Sequence, residues 1–335
     1  MLKKHSRKSK SKIQFDLQPT NREGVFAFRP PPEGFDPLTA SPGTLRQRGI
    51  LLRRPDPARE PHLCQPWARI VGKMAIPSAY DIPVKFVPRS LGSIPGGGGR
   101  GISHGDSTWA GAQVSGHWVG VFATWHIPSV TIPAALHWPS SPQELRSSSW
   151  VGLSGVGIGQ ATPILQAGVD HVIDATGKIS YLSWVEWYPN LSNYFGLPVS
   201  AGDQIAVAIQ LVAGEPANVG DPAPPPGPYQ YGGVNFVNVT TGKAQTLYLP
   251  PPPPPNPPAS QAFVELNAEW IVEIMTSFLT KFTPITFDAC GSCNVGGTVV
   301  GKPSQGNITN LEFNGVPQTT TAVTDTTVTI TDLEP

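Results

Sequence analysis

Residues 263–273 read FVELNAEWIVE, and residues 164–170 read ILQAGVD. Along an extended chain, successive side chains point to opposite sides. Glu269, Ile271 and Glu273 therefore share one face, while Trp270 and Val272 take the other. The same parity groups Gln166 with Asp170. Two carboxyls four residues apart on one strand lie roughly 13 Å apart, too far to share a proton. An acid/base arrangement has to form across strands, with one of the two glutamates facing Gln166. The stretch also carries a competing pattern. Ile271, Ile274, Met275, Phe278, Leu279 and Phe282 recur at helical spacing, opposite Glu273, Thr276, Ser277, Thr280 and Lys281. Periodicity alone slightly favours an amphipathic helix over 268–282.

Outward from this stretch, the texture after Thr108 is one of short β-rich runs broken by Gly, Pro, Asn and Ser. Strands are expected at Ala112–Val114, Trp118–His126, Ser149–Leu153, Ile164–Asp170, Ser180–Tyr188, Gln204–Leu211, Val234–Asn238 and Phe263–Glu273, and in the tail near Thr319–Ile330. Short strands with regular turn signals indicate an all-β antiparallel sandwich or barrel. Two proline-rich inserts, 222–228 and 250–258, cannot continue a central strand because proline lacks the ladder donor. They read as rigid surface loops, with a polyproline recognition ligand as the sharper alternative.

The chain of 335 residues has no net charge, but the balance hides an asymmetry. Residues 1–100 hold 18 of the 23 Lys and Arg and 7 of the 23 Asp and Glu. The boundary falls near the glycine tract Gly96–Gly99. The division expected is a basic, mostly irregular N-terminal segment with a Gly-rich linker over 1–105, followed by a β domain over 106–335. Residues 1–60 fit a solvated basic tail, a loosely packed pro-segment or a nucleic-acid arm; the last is disfavoured because aromatic residues are scarce among the lysines.

Several function classes find no support. Cys290 and Cys293 form a lone CxxC without a second pair, a weak zinc signal, and read as a small loop with thiols or a local disulfide. The histidines lack metal-ligand spacing. GLSGVG at 152–157 is a poor nucleophile elbow. No apolar run reaches the length of a membrane span, and the charged start is not followed by the apolar stretch of a signal peptide. No metal, cofactor, nucleic-acid or membrane partner is expected, and a monomer is.

An ordered series of short words resembles the glutamic peptidases, or eqolisins. STWAGA at 107–112, FATWHIP at 122–128, SWVGL at 149–153, ILQAGVD at 164–170, SWVEWYP at 183–189, SAGD at 200–203, VTTGK at 239–243 and NAEWIVE at 267–273 follow that family's order. The resemblance implies a β-sandwich of two large sheets, of the concanavalin A or jelly-roll kind, and favours the strand over the helix through Glu273. It implies an acid-active endopeptidase with Gln166 and Glu273 as the catalytic dyad. Trp150, Asp170, Trp184, Glu186, Tyr188 and Glu269 would line or support the same concave face. Strand parity agrees, since Trp184, Glu186 and Tyr188 share a side. It also implies secretion into acidic surroundings and a pro-segment. From the charge asymmetry, the basic segment is expected to mask the acidic domain at neutral pH and to be released, by self-cleavage near 96–105, when acid protonates the domain's carboxylates. Three departures bear on substrate preference and on the catalytic pKa: Ser154 stands where the family has Asp, Val185 where it has an aromatic, and Thr108 where it has Asn.

The chemistry suits these residue types. Peptide hydrolysis needs an activated water, a stabilised oxyanion and a proton for the departing amine. A carboxyl group can take the proton from water and return it to the amine. A glutamine amide can donate to the oxyanion while its carbonyl holds the water. The competing reading is a non-catalytic module holding a sugar or peptide on a Trp-lined concave face, since folds of this kind host many functions.

Overall fold

The structure is a computed structural model that describes residues 16–89, 108–134, 136, 144–155, 163–188, 192–212, 231–250, 266–276, 279–294, 300–313 and 315–333. The proline-rich inserts at 222–228 and 251–258 and the linker at 96–105 lie outside them. In chain order the first strands are β1 (Leu17–Pro19), β2 (Phe26–Phe28), β3 (Val87–Pro88), β4 (Trp109–Gly116), β5 (Gly120–His126) and β6 (Val130–Thr131). Next come β7 (Leu145–Gly155), β8 (Ile164–Ile173), β9 (Ile179–Trp187), β10 (Asn193–Tyr194), β11 (Gln204–Val212), β12 (Tyr231–Asn238) and β13 (Lys243–Leu249). The remainder are β14 (Leu266–Ile274), β15 (Lys281–Phe282), β16 (Ile285–Cys293), β17 (Val300–Gly301), β18 (Asn307–Thr309), β19 (Glu312–Phe313), β20 (Val316–Pro317), β21 (Thr319–Val323) and β22 (Val328–Asp332).

Two antiparallel sheets carry the architecture. The larger runs β1-β2-β13-β12-β11-β5-β16-β22-β21, with β17 on β16; the smaller runs β18-β4-β14-β7-β8-β9-β10-β3. Their inner faces meet in one apolar core, to which the smaller sheet sends Val151, Leu165, Val169, Trp187, Trp270 and Val272, and the larger sends Trp125, Ile205, Val207, Phe236 and Phe287. The helical pattern after Ala268 loses to the ladder: β14 pairs with β4 and β7 along its length, so Trp270 and Val272 bury themselves against the opposing sheet.

Two stretches depart from the sequence reading. The CxxC is not a loop but the end of β16, whose register against β5 shifts between Asp288 and Gly291, with Ala289 at a φ of 52°. Cys290 and Cys293 are free thiols, and burial pushes the Cys293 thiol up to about 11. Of the N-terminal segment, the described residues 16–89 are not loosely packed. They contain two helices, α1 (Pro42–Gln47) and α2 (Pro61–Met74), besides β1, β2 and β3.

The segment is tied to the larger sheet at many points. β2 pairs with β13, extending the sheet. The apolar stripe of α2, Trp67, Ile70, Val71 and Met74, lies on the outer face of that sheet against Ala206, Ala208, Val237 and Ala244, where small side chains let a helix approach. The buried Asn235 side chain accepts from the Leu51 and Leu52 N–H groups at 2.9 and 3.2 Å and donates to the Gly49 carbonyl at 2.6 Å. Gly233 leaves room for Leu51, whose Cδ1 would stand 2.2 Å from a Cβ there and would have to turn aside for a larger residue. The larger sheet is thus covered on both faces, the core on one and this segment on the other.

Candidate active site

The outer face of the smaller sheet carries the polar residues. Its register forms rows across the strands. In one row Gln113 of β4, Glu269 of β14, Gly152 of β7, Gln166 of β8 and Glu186 of β9 stand side by side. In the next, Ile271, Trp150, Gly168, Trp184 and Tyr194 do so. In a third, Trp109, Glu273, Ser148 and Asp170 align. The parity expected from sequence therefore holds on three separate strands. Glu269 is the glutamate in the row of Gln166, two strands away beyond Gly152, whereas Glu273 shares the row of Asp170, beyond Ser148.

Glycines make room in the middle of this face. A Cβ on Gly168 would meet Trp150 Cβ at 2.5 Å, and one on Gly152 would meet the Trp150 ring at 2.8 Å. The Trp150 indole is fully buried between them and makes an edge contact with Trp109, ring centroids 5.1 Å apart. From there its Nε1–H donates to Glu273 Oε2 at 3.1 Å. The Trp184 indole, also buried, donates to Ser148 Oγ at 2.9 Å. Because both indoles are covered, neither offers a stacking platform to a sugar. Tyr188 sits just past the end of β9, its N–H donating to the Ile164 carbonyl at 2.8 Å.

Gln166 is 8% exposed. Its Nε2 donates to Glu186 Oε2 at 3.1 Å, and its buried Oε1 has no hydrogen-bond partner. Gln113 Nε2 reaches Glu269 Oε1 at 3.3 Å. Burial raises the Glu273 carboxyl above its ordinary value, opposed by the hydrogen bonds from Trp109 and Trp150 and by the charge of Arg89. Burial likewise raises Glu186, to about 7, with Arg89 pulling down and Glu273 pushing up. Both carboxyls thus bind protons more readily than free glutamate, which suits an acid that gives up a proton, while the Arg89 charge opposes the shift and favours the carboxylate.

Asp170 behaves oppositely. It is completely buried, which alone would raise its pKa, but the guanidinium of Arg89 forks onto it and the net shift is downward. Arg89 Nε donates to Asp170 Oδ2 at 2.8 Å and Nη2 to Oδ1 at 2.6 Å. Tyr194 donates its hydroxyl to Oδ2 at 2.8 Å, and Arg146 Nη1 stands 3.7 Å from the same oxygen. Arg89 also reaches Ser192 Oγ at 3.2 Å, lies 3.9 Å from Glu186 Oε2, and sits 3.9 Å from the Trp184 ring centroid. Its side chain is 1% exposed.

The structure therefore gathers Gln166, Glu273, Trp150, Asp170, Trp184, Glu186 and Glu269 on one face. It adds Arg89, Arg146, Tyr194, Trp109 and Ser148, none of which was singled out from sequence. Trp109 stands in the quoted word STWAGA, and Ser148 directly precedes SWVGL and shares parity with Trp150, a usable signal. Arg89 has no such signal, because its partner is 81 residues away.

A family model described as the peptidase A4 family matches residues 107–219 and 229–332. The chain belongs to this family, the glutamic peptidases. Aspergillopepsin-2 from Aspergillus niger is 29% identical over 243 residues, 67% of this chain and 77% of that protein. Scytalidopepsin B from Scytalidium lignicola is 26% identical over 237 residues, 67% of this chain and 76% of that one. Among solved structures, a scytalido-glutamic peptidase with a peptide-based transition-state analogue is similar at 23% identity and a TM-score of 0.49, covering 68% of this chain and 98% of that one. The peptidase A4 match covers every strand of both sheets but β1, β2 and β3, and every polar residue of the site face except Arg89, which precedes it.

Proposed function

We propose that this glutamic peptidase is an acid-active endopeptidase in which Glu273 and Gln166 act together on the scissile peptide. The observation that carries the reading is geometric: β14 and β8 turn Glu273 and Gln166 onto the same sheet face, Glu273 held by the Trp150 indole and Gln166 with a buried carbonyl that has no partner. As a carboxylate, Glu273 takes the proton from the attacking water; as the acid so formed, it delivers that proton to the departing amine. The Trp150 N–H fixes which way the carboxyl points. Gln166 has two amide N–H bonds, of which Glu186 takes one, leaving the other to donate to the oxyanion. The free Gln166 carbonyl is suited to hold the water. Neither a covalent intermediate nor a cofactor enters these steps.

Glu186, raised to about 7, is protonated at acid pH. It then adds no negative charge opposite the developing oxyanion, which would otherwise be repelled. Asp170, held ionised, supports the floor of the site. The exclusion of solvent from Trp150 and Trp184 weighs against the sugar-binding alternative.

The test is cleavage of a denatured protein by the full chain from pH 2 to 7, with pepstatin present to silence aspartic peptidases. Cleavage that rises in acid, resists pepstatin and falls about 10²–10³-fold in Gln166→Ala is expected. A folded wild type that binds peptide but cleaves nothing across this range would replace the peptidase with the binding module.

A further inference from the structure

The residues before 107 lie outside the peptidase A4 match, yet one of them enters the site. β3 adds to the edge of the smaller sheet, with Val87 opposite Tyr194 and Pro88 opposite Asn193. The next residue, Arg89, donates its backbone N–H to the Ser192 carbonyl at 3.0 Å and turns its side chain onto the polar face. We propose that Arg89 is a positioning residue of the active site, supplied by the N-terminal segment, which locks Asp170 and Trp184 in place and sets a fixed positive charge beside Glu186 and Glu273. This rests on reading Glu273 and Gln166 as the catalytic pair.

Three observations separate this role from that of a removable plug. First, the chain reaches the site along the sheet edge as one more strand, so Arg89 arrives within the floor of the face. Second, its contacts are with floor groups: a two-pronged ion pair with a carboxylate that has no exposure, and a cation stacked on a buried indole. Withdrawing it would strand the Asp170 carboxylate in the interior with only Tyr194 and the more distant Arg146, a change that destabilises strongly. Third, the segment carrying it closes the outer face of the larger sheet through α2 and the Asn235 contacts, surfaces that would be bared if it left.

The charges around Arg89 show what its cation does. Asp170 faces it from β8, Glu186 from β9, Tyr194 from β10, Arg146 from β7 and Glu273 from β14, with Glu269 further along that strand. Four carboxyls and two guanidiniums share one poorly solvated face. Arg89 favours the charged form of both Glu186 and Glu273. Without it, burial and mutual repulsion would leave both protonated over a wider acid range, and less of the enzyme would carry the carboxylate that activates water.

The experiment compares full-length wild type, Arg89→Lys and Arg89→Met by the pH profile of kcat/KM and, independently of cleavage, by infrared titration of the Glu273 carboxyl, identified by its loss in Glu273→Gln. Arg89→Met is expected to lower kcat/KM about tenfold to a hundredfold through misplacement and to move the acid limb, and the infrared transition, to higher pH. Arg89→Lys keeps the charge, so its limb stays while its rate falls. If Arg89→Met does not fold, Arg89→Met with Asp170→Asn removes the stranded carboxylate, and the limb is expected to move the same way. Higher activity in Arg89→Met would make Arg89 a mask and overturn the proposal, as would lost activity with neither limb nor infrared transition moved. Should the wild type cleave nothing, the peptidase reading fails, while the infrared titration still decides for or against Arg89.

Discussion

The two faces of the smaller sheet are made by the same strands and are almost equally buried, but they are held in different ways. On the inner face of β8, Leu165, Ala167, Val169 and Ile173 pack against the opposing sheet, and the polar exception, His171, is neutralised by its surroundings. Ser147 and Ser149 stand 3.1 Å from its two ring nitrogens. On the outer face of the same strand, Gln166 and Asp170 belong to a network of ions and amides. An apolar face tolerates imprecise partners, since dispersion and solvent exclusion act in all directions. A buried polar face does not, because each unpaired group costs about 1–3 kcal/mol. The inner face should therefore set stability, and the outer face reactivity.

Substitutions on β14 separate these roles most sharply. Glu273→Gln should lower kcat by about 10²–10⁴-fold while leaving Tm nearly unchanged, since the amide keeps the shape of the carboxyl and can still accept from Trp150. A residue three positions earlier on the same strand does the reverse. Trp270→Ala empties a fully buried site in the main core and should cost about 3–5 kcal/mol in denaturant unfolding, with kcat per folded molecule little affected. If the two substitutions changed stability and rate in the same proportion, the division between the faces would be wrong.

Acid provides a smaller, graded comparison. The folded Glu186 carboxyl is raised from 4.5 to about 7, so its stabilising contribution is complete below the unfolded value and is lost as pH rises through about 7. His171 on the inner face is lowered from 6.5 to about 4, so its contribution is complete above the unfolded value and is lost as pH falls through about 4. Between these limits the two faces oppose one another. Glu186→Gln should remove the gain on acidification and leave the His171 loss exposed. Relative to wild type, the variant should lose roughly 3 kcal/mol between pH 7.5 and 4, at about 1.4 kcal/mol per pKa unit. Parallel curves of unfolding free energy against pH would show that Glu186 is not held protonated by the fold.

The comparison also explains what could be read from the chain. Parity needs only that a strand be a strand, so the rows holding Gln166, Asp170, Glu186, Glu269 and Glu273 followed once the resemblance had set aside the helical spacing of Ile271, Ile274 and Met275. β13 escaped notice because both its faces are covered, leaving KAQTLYL without clean alternation. β16 did so because ACGSC is poor strand composition, and only a bulge against β5 accommodates it. The stripe of Leu63, Trp67, Ile70, Val71 and Met74 was present as helical spacing, but Pro61 and Pro66 and the surrounding basic residues obscured it. Arg89 could not be found that way: an ion pair leaves no periodic trace, and its meaning depends on which strand β3 joins.

The most direct test of the central claim is the rate of peptide cleavage at pH 3 to 4 by purified Glu273→Gln, beside wild type of equal Tm. The acid/base role assigned to Glu273 requires cleavage reduced by at least about a hundredfold in a fully folded variant. Cleavage within a few-fold of wild type would place the proton transfer on another carboxyl of the same face, Glu269 or Glu186, and contradict the assignment.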